Sequence, residues 1–264
     1  MSANALADTG APLLAVEHLR LAVAGRTLAA DLSFAVRRGE LWCVLGANGA
    51  GKTLLLHTLA GLRPLDGGAV MLAGAPLSRW RPHDAARLRG FLPQFNAHPF
   101  PMTVTEAVVM GRHPHLPRWA WEGEDDLAHA RAAIDEVGLA ALAGRDVTTL
   151  SGGERQRVSI ATLFAQEAPL MLLDEPVAHL DLRHQIGVLD HLARRARDGC
   201  GVVLSIHDLT LARGCATHAL LLRGGGRATA GPIEDVMTDA ALTDAFACPI
   251  ARIDAGGRAV YVAG

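Results

Sequence analysis

The stretch Gly46-Ala-Asn-Gly-Ala-Gly-Lys52-Thr53 follows a continuous apolar run at residues 41–45 and precedes another that begins at Leu54. It matches the pattern G-x-x-x-x-G-K-[ST], in which a glycine-rich backbone surrounds phosphate groups. Among the 25 lysine and arginine residues of the chain, Lys52 alone is lysine. A compact ammonium can reach between two phosphates where a planar guanidinium does not fit. The stretch therefore predicts a nucleotide phosphate site built on a strand, a loop and a helix.

Each residue of this P-loop has an expected role. Backbone N–H groups from Ala47 to Thr53 would point at phosphate oxygens, helped by the positive end of the helix dipole. The Lys52 ammonium would bridge the β- and γ-phosphates, and the Thr53 hydroxyl would ligate Mg²⁺. The residues expected to bind the nucleotide here are Gly46, Ala47, Asn48, Gly49, Ala50, Gly51, Lys52 and Thr53.

Composition places the chain among ordinary globular proteins. Its 264 residues, 50% of them hydrophobic and 20% charged, suit one large domain or two modest ones with a sizeable core. The net charge is −2 and the arginines are spread along the chain, so we expect no nucleic acid partner. The four cysteines are far apart, which predicts buried free thiols rather than a zinc or redox site; they are Cys43, Cys200, Cys215 and Cys248.

No segment resembles a membrane span or a secretory signal. No window approaches the roughly 18–20 apolar residues that a spanning helix needs. Residues 1–12 contain no lysine or arginine and no long apolar stretch, which predicts a flexible tail rather than a signal peptide. We therefore expect a cytosolic protein, or one bound to a membrane through a partner.

Hydrophobic periodicity predicts an α/β fold. Alternating runs around Leu19, Leu32 and Val70 are typical of half-buried antiparallel strands, whereas the continuous apolar runs at 170–173 and 202–206 predict strands buried on both faces. A glycine turn at Gly224, a helix opened by Pro232 and a hairpin around Gly256-Gly257 are expected near the end of the chain.

Residues 98–150 have a sequence pattern typical of helices. A capping box at Thr103 and Glu106 predicts one helix, and an amphipathic pattern predicts another from about Glu124. The stretch from His113 to Trp119 contains two prolines and predicts a loop. Two histidines on such a loop are too few for a metal or haem site, so we expect it to face solvent or a partner.

Two carboxylates follow the apolar run at 170–173. Asp174 can hold Mg²⁺ through a water molecule, and Glu175 can orient and deprotonate an attacking water. Because ligands of open α/β sheets bind at the carboxyl ends of strands, both acids are expected beside the P-loop.

The string Leu150-Ser-Gly-Gly-Glu154 adds a second diagnostic motif. Ser151 and Glu154 fit a capping box that starts a helix. With the preceding motifs, this string resembles the signature of the nucleotide-binding subunits of ABC transporters. The resemblance extends over nearly all of residues 13–264, and its motifs occur in the family's order.

The resemblance implies roles for further residues. Gln94 is similar to the family's Q-loop glutamine, Asp181 to its D-loop aspartate and His207 to its switch histidine. The implied catalytic residues are Glu175, His207 and Gln94, and the implied metal ligands are Thr53, Gln94 and Asp174. Besides the P-loop, the implied nucleotide-binding residues are Ser151, Gly152, Gly153 and Asp181.

The family resemblance also implies the architecture. It predicts a P-loop NTPase core of the RecA type, with a mixed, mostly parallel sheet and flanking helices, plus an antiparallel β-subdomain. A helical subdomain is expected at about 98–165 within a single domain at 13–264, and a helix and hairpin at 224–264. ATP and Mg²⁺ are the implied cofactors. The implied assembly is a homodimer that binds a transmembrane permease peripherally, on the cytoplasmic side of the inner membrane. A substrate-binding protein is an indirect partner.

Within the family, residues 100–115 and the short tail are most similar to ATPases of importers for iron-siderophore, haem or cobalamin complexes, with cobalamin marginally favoured. The alternatives are a soluble non-transport ATPase, such as an assembly or repair motor, and the ATPase of an exporter. Three departures stand out: Val23 where the family usually stacks an aromatic side chain on adenine, Glu154 where glutamine is commoner, and Val177 where a small hydroxyl residue is frequent. Nucleotide affinity is expected to be lower, or base preference looser, because of Val23.

Overall fold

The computed structural model describes residues 11–94, 100–117, 119–178 and 180–264. Three predicted segments lie partly outside these residues: the flexible tail at 1–12, the helical subdomain at about 98–165 and the loop at 113–119. Within them, no helix is both long and apolar enough to cross a bilayer.

A six-stranded sheet forms the centre, in the order β10-β9-β3-β8-β7-β6. Neighbouring strands from β9 to β6 are parallel, and β10 is antiparallel to β9. The strands are β3 (Leu41–Gly46), β6 (Arg89–Leu92), β7 (Leu170–Leu173), β8 (Gly201–Ser205), β9 (His218–Gly224) and β10 (Arg227–Pro232). The continuous apolar runs of β3, β7 and β8 are buried throughout, as the sequence predicts.

Two hydrophobic cores cover the two faces of this sheet. Alternate residues of β3 point to opposite faces, so that Leu41 and Leu45 belong to one core and Trp42 and Val44 to the other. The first core packs against most of the helices: α5 (Gly152–Ala165), α6 (Leu182–Arg197), α7 (Leu209–Cys215), α8 (Ile233–Val236) and α9 (Asp239–Phe246). The second contains the P-loop helix α1 (Lys52–Leu59).

A four-stranded antiparallel sheet, in the order β2-β1-β4-β5, packs over the second core. Its strands are β1 (Leu14–Val23), β2 (Arg26–Val36), β4 (Ala69–Leu72) and β5 (Ala75–Pro76). Leu19, Leu32 and Val70 are buried, which confirms the alternation that the sequence predicts. A short helix, α2 (Pro82–Leu88), leads from this sheet into β6.

Between β6 and β7 the described chain is helical. It contains α3 (Val104–Val109), α4 (Glu124–Glu136) and α5. Thr103 and Glu106 form the predicted capping box. The predicted loop at 113–119 is partly wrong: Met110–His115 form a 3₁₀ helix. Its tighter i to i+3 turns accommodate Pro114 over a short run, and the backbone N–H of Leu116 donates to the carbonyl of His113.

The end of the chain forms the predicted hairpin, β11 (Ile250–Ala255) and β12 (Arg258–Ala263). The prediction of four buried thiols is wrong in detail. All four cysteines are free, but Cys43 is buried while Cys200, Cys215 and Cys248 are half-buried. Cys215 ends α7, whereas Cys200 and Cys248 lie in loops, and all three pack against the first core from outside it.

Candidate functional site

The loop between β3 and α1 requires glycine for steric reasons. Gly46 and Gly51 have φ angles of 146° and 104°, which side chains with a Cβ rarely adopt. A Cβ on Gly46 would lie 2.7 Å from the carbonyl oxygen of Leu222, and one on Gly51 would lie 2.6 Å from Leu28. The sheet and the β1–β2 hairpin therefore crowd this loop from two sides and hold its path.

The amino end of α1 opens onto the same loop. Its N-cap residue, Gly51, has no side chain with which to bond the first-turn N–H groups. Ala50 is buried, Asn48 and Gly49 are exposed, and Thr53 is half-buried. An uncapped helix end with backbone N–H groups directed outward is suited to an anion.

Lys52 lies folded into this loop with 6% of its surface exposed. Its Nζ donates to the carbonyl oxygens of Gly46, at 2.9 Å, and Ala47, at 3.3 Å. Burial lowers the pKa of Lys52, and the negative charges of Glu175 and Asp174 oppose that shift. The two carboxylates are thus electrostatic neighbours of the P-loop cation.

Asp174 follows β7 and is completely buried. Its Oδ1 accepts a hydrogen bond of 2.6 Å from the Ser205 hydroxyl. Its Oδ2 is buried and has no hydrogen-bond partner among the described residues. A buried carboxylate oxygen without a donor is costly, so this atom fits a site in which a cation or an ordered water completes its bonding.

Glu175 joins the ends of three adjacent strands. Its Oε2 accepts a 2.9 Å hydrogen bond from Nε2 of Gln94, which follows β6. Its Oε1 lies 2.5 Å from Nε2 of His207, which follows β8. The side chain of Glu175 is 14% exposed and that of His207 is 46% exposed. The three predicted catalytic residues are therefore in direct contact at the carboxyl edge of the sheet.

Ser151 and Asp181 begin two helices instead. Ser151 caps α5, accepting from the backbone N–H of Glu154 at 3.2 Å, while its own N–H donates to Glu154 Oε2 at 2.7 Å. Asp181 caps α6 by accepting from the backbone N–H of His184, the main cause of its lowered pKa. Among the described hydrogen bonds, neither residue reaches Lys52 or Glu175. The described hydrogen bonds of the side chains of Ser151 and Asp181 thus stay at their own helix ends.

Two residues of the site, Ser205 and Gln156, were not predicted from the sequence. Ser205 bonds Asp174 through its hydroxyl, and Gln156 Nε2 donates to the carbonyl oxygen of Pro176 at 2.9 Å, tying α5 to the segment after Glu175. A serine closing an otherwise apolar strand is the one sequence signal that could have singled out Ser205.

The three departures have structural counterparts. Val23 is 44% exposed at the end of β1. Glu154 completes the cap of α5, a role that glutamine could also fill. Val177 is 6% exposed and lies in the first core, so its apolar side chain suits its position.

Comparison with known proteins agrees with this architecture. The family model described as ABC transporter matches residues 29–178. The chain is 45% identical over 225 residues to the hemin import ATP-binding protein HmuV of Nocardia farcinica, covering 85% of this chain and 77% of the relative. It is 42% identical over 248 residues to HmuV of Streptomyces coelicolor, covering 92% and 86%.

A solved structure of a metal-chelate type ABC transporter in an inward-facing conformation has the same fold. It superposes with a TM-score of 0.84 at 31% identity, over 96% of this chain and 98% of the other. The chain therefore belongs to the ABC transporter family. The predicted resemblance and fold class are confirmed, and the chain is an ATP-binding ATPase subunit of a membrane transporter.

Proposed function

We propose that this chain hydrolyses ATP to power an ABC importer of hemin. The observation that carries the proposal is its 45% and 42% identity, over most of its length, to relatives named as hemin import ATP-binding proteins. These names favour import over export and transport over an assembly or repair role. They also favour hemin over cobalamin, the cargo marginally favoured from the sequence.

Nucleotide binding would rest on the P-loop. The uncapped amino end of α1 offers backbone N–H groups to the phosphates. Lys52 already lies inside the loop with its ammonium bonded only to carbonyl oxygens among the described residues, so it can exchange these bonds for β- and γ-phosphate oxygens. Glycines at 46, 49 and 51 let the backbone approach a phosphate closely.

The acidic residues fit a magnesium ion. Asp174 Oδ2 is buried without a hydrogen-bond partner in the part of the chain that the structure describes, and it is an oxygen of the kind that hard divalent cations prefer. The Thr53 hydroxyl and the Gln94 amide oxygen would complete the protein's share. When bound, Mg²⁺ would neutralise charge on the β- and γ-phosphates.

Glu175 would act as the general base. Its carboxylate is mostly buried, and its contacts with Gln94 and His207 hold its orientation. It would take a proton from the water that attacks the γ-phosphate. His207, the more exposed partner, would leave Glu175 and donate to the γ-phosphate instead.

A homodimer would complete each ATP site. Ser151 and Gly152 are exposed at the amino end of α5, where a helix terminus favours negative charge. Since their described contacts stay within their own helix cap, we propose that they face the γ-phosphate held by a second copy, with Asp181 at the same interface. ATP would thus draw two copies together, and hydrolysis would release them.

The permease would dock beside the 3₁₀ helix, on the helical subdomain that we place at about 98–165. A groove of about 660 Å³ there is lined by Arg81, Arg87, His113, Leu116 and Trp119, among others. Trp119 and Trp121 are 91% and 90% exposed, which is unusual for tryptophan outside an interface. The assembly would lie on the cytoplasmic side of the inner membrane, with a substrate-binding protein delivering hemin from the other side.

Reconstitution tests this proposal. The chain would be affinity-purified from its native membranes, and the permease that accompanies it would be identified by mass spectrometry and reconstituted in vesicles. ATP-dependent uptake of hemin, faster than that of cobalamin or a ferric siderophore, is expected. Isolation with a soluble partner and no permease, or preference for another cargo, would refute it.

A further inference from the structure

Ser205 is a buried residue that contacts the two acidic residues of the predicted site. It is the last residue of β8 and is completely buried. Its hydroxyl donates to Asp174 Oδ1 at 2.6 Å and accepts from the backbone N–H of Glu175 at 2.8 Å. One hydroxyl thus contacts both consecutive acidic residues, once as a donor and once as an acceptor.

The first of these bonds fixes the orientation of the Asp174 carboxylate. The terminal torsion of a carboxylate is broad, so the two oxygens of an unrestrained Asp174 could occupy a range of positions. Because Ser205 engages Oδ1, the orientation of the group is fixed and Oδ2 is the oxygen left without a partner among the described residues. That is the oxygen to which we assign the metal or its water.

The second bond holds the backbone of Glu175. This residue has a φ angle of 49°, in the left-handed region that non-glycine residues rarely adopt. The hydrogen bond from its N–H to Ser205 helps to hold this conformation. Glu175 then reaches both Gln94, at the end of β6, and His207, two residues beyond Ser205.

We propose that Ser205 is a positioning residue for ATP hydrolysis, acting through Asp174 and Glu175 without touching the nucleotide. The inference rests on the proposed function, since it assigns Ser205 to the same site. Outer residues that orient metal ligands typically change metal affinity or activity by about 10- to 100-fold when replaced. A loss of that size in kcat is expected for Ser205→Ala.

The test compares Ser205→Ala, Ser205→Cys and Ser205→Thr in the full-length protein. Ala removes the hydroxyl, Cys is a near-isostere with a weak donor, and Thr restores the hydroxyl. Ser159→Ala is the matched control, because Ser159 is also buried, on α5, and its hydroxyl donates to the carbonyl oxygen of Arg155. Steady-state ATPase rates would be measured well below the unfolding temperature of each variant.

A binding readout separates positioning from general stability. The affinity for a fluorescent ATP analogue would be measured with Mg²⁺ and with chelator. In the wild type, Mg²⁺ should raise the affinity for the analogue, and Ser205→Ala and Ser205→Cys should reduce this Mg²⁺ enhancement about 10-fold or more. Ser205→Thr should restore the enhancement, and Ser159→Ala should leave it intact.

Folded Ser205→Ala or Ser205→Cys protein with the wild-type kcat and the wild-type Mg²⁺ enhancement would overturn the inference, whatever its melting temperature. If Ala does not fold, the Cys variant decides. Wild-type protein that neither binds nor hydrolyses ATP would instead contradict the proposed function itself.

Discussion

Glu175 and His207 lie in direct contact, with Oε1 of the carboxylate 2.5 Å from Nε2 of the imidazole. The two side chains differ in exposure, at 14% for Glu175 and 46% for His207. The histidine can therefore move into solvent or toward a ligand more readily than the carboxylate can. This asymmetry suits a fixed base and a mobile sensor, and it leads to separate predictions for the two residues.

Glu175→Gln should preserve ATP binding and abolish most turnover. The amide keeps the shape of the side chain but cannot accept a proton from water, so kcat should fall by about 10² or more. ATP should then trap the proposed dimer, visible by size-exclusion chromatography. Glu124→Gln, at the exposed start of α4, is the control and should behave as wild type. Normal turnover by the Glu175 variant would exclude it as the base.

His207→Ala should lower kcat mainly through Glu175 and the γ-phosphate. We expect a loss of about 10²-fold in the wild-type background, but little further loss when Glu175 is already glutamine. Residues that act as one unit give non-additive effects of this kind. Steady-state rates of the two single variants and the double variant provide the measurement. Fully additive losses would show that the observed contact has no role in turnover.

Lys52→Ala should abolish tight ATP binding without unfolding the chain. The substitution removes the buried ammonium of the P-loop together with its bonds to Gly46 and Ala47. Calorimetric titration with ATP should give an affinity weaker by at least about 10²-fold, since hydrogen bonds to charged groups contribute about 1.5–3 kcal/mol each. Arg37→Ala removes an exposed cation and should leave the affinity unchanged. Equal affinities in the two variants would refute a phosphate role for Lys52.

The core of the fold was predictable because its signals are local. Continuous apolar runs identified β3, β7 and β8, and short motifs identified the residues after each of them. The rule that ligands bind at the carboxyl ends of strands placed Glu175 at the edge of the sheet where the structure has it in contact with His207.

Contacts across the sheet were not predictable in the same way. The role of Ser205 depends on strand register, since Leu173 pairs with Leu204 and their successors are thereby brought together. Such a register joins residues far apart in sequence and leaves no motif. The 3₁₀ helix at Met110–His115 was missed because proline favours both a loop and a tight turn. Its contact with Arg87, which donates to the Pro114 carbonyl oxygen at 2.6 Å, involves another element.

Replacing Trp119 and Trp121 together with alanine should weaken permease binding. Large aromatic residues at interfaces often contribute 2 kcal/mol or more, so binding should weaken by at least about 30-fold. The measurement is titration of the purified subunit onto the reconstituted permease, with ATP affinity of the isolated subunit checked in parallel. Ile253→Ala, 49% exposed on the terminal hairpin, controls for loss of exposed apolar surface. Unchanged permease affinity in the double tryptophan variant would show that the permease docks on another surface.

Gly152→Ala should impair the proposed dimer without changing the fold of a single chain. Apart from its chain neighbours and its own helix backbone, a Cβ at Gly152 would meet no atom of the described residues within 4 Å, so the isolated chain should keep its melting temperature and its ATP affinity. In the proposed dimer, the same methyl group would stand between the amino end of α5 and the partner's γ-phosphate, and turnover should fall at least about 10-fold. Gly214→Ala is the matched control, because among the described residues its Cβ would also meet no atom within 4 Å and Gly214 lies on α7 rather than α5.

The decisive comparison is ATP-induced dimerisation of a Glu175→Gln protein with and without the added Gly152→Ala change, followed by light scattering. Because no atom of the described residues obstructs the methyl group within one chain, a selective loss of dimer would point to the second copy. Dimerisation and turnover that survive Gly152→Ala would mean that the amino end of α5 does not approach the nucleotide of a partner.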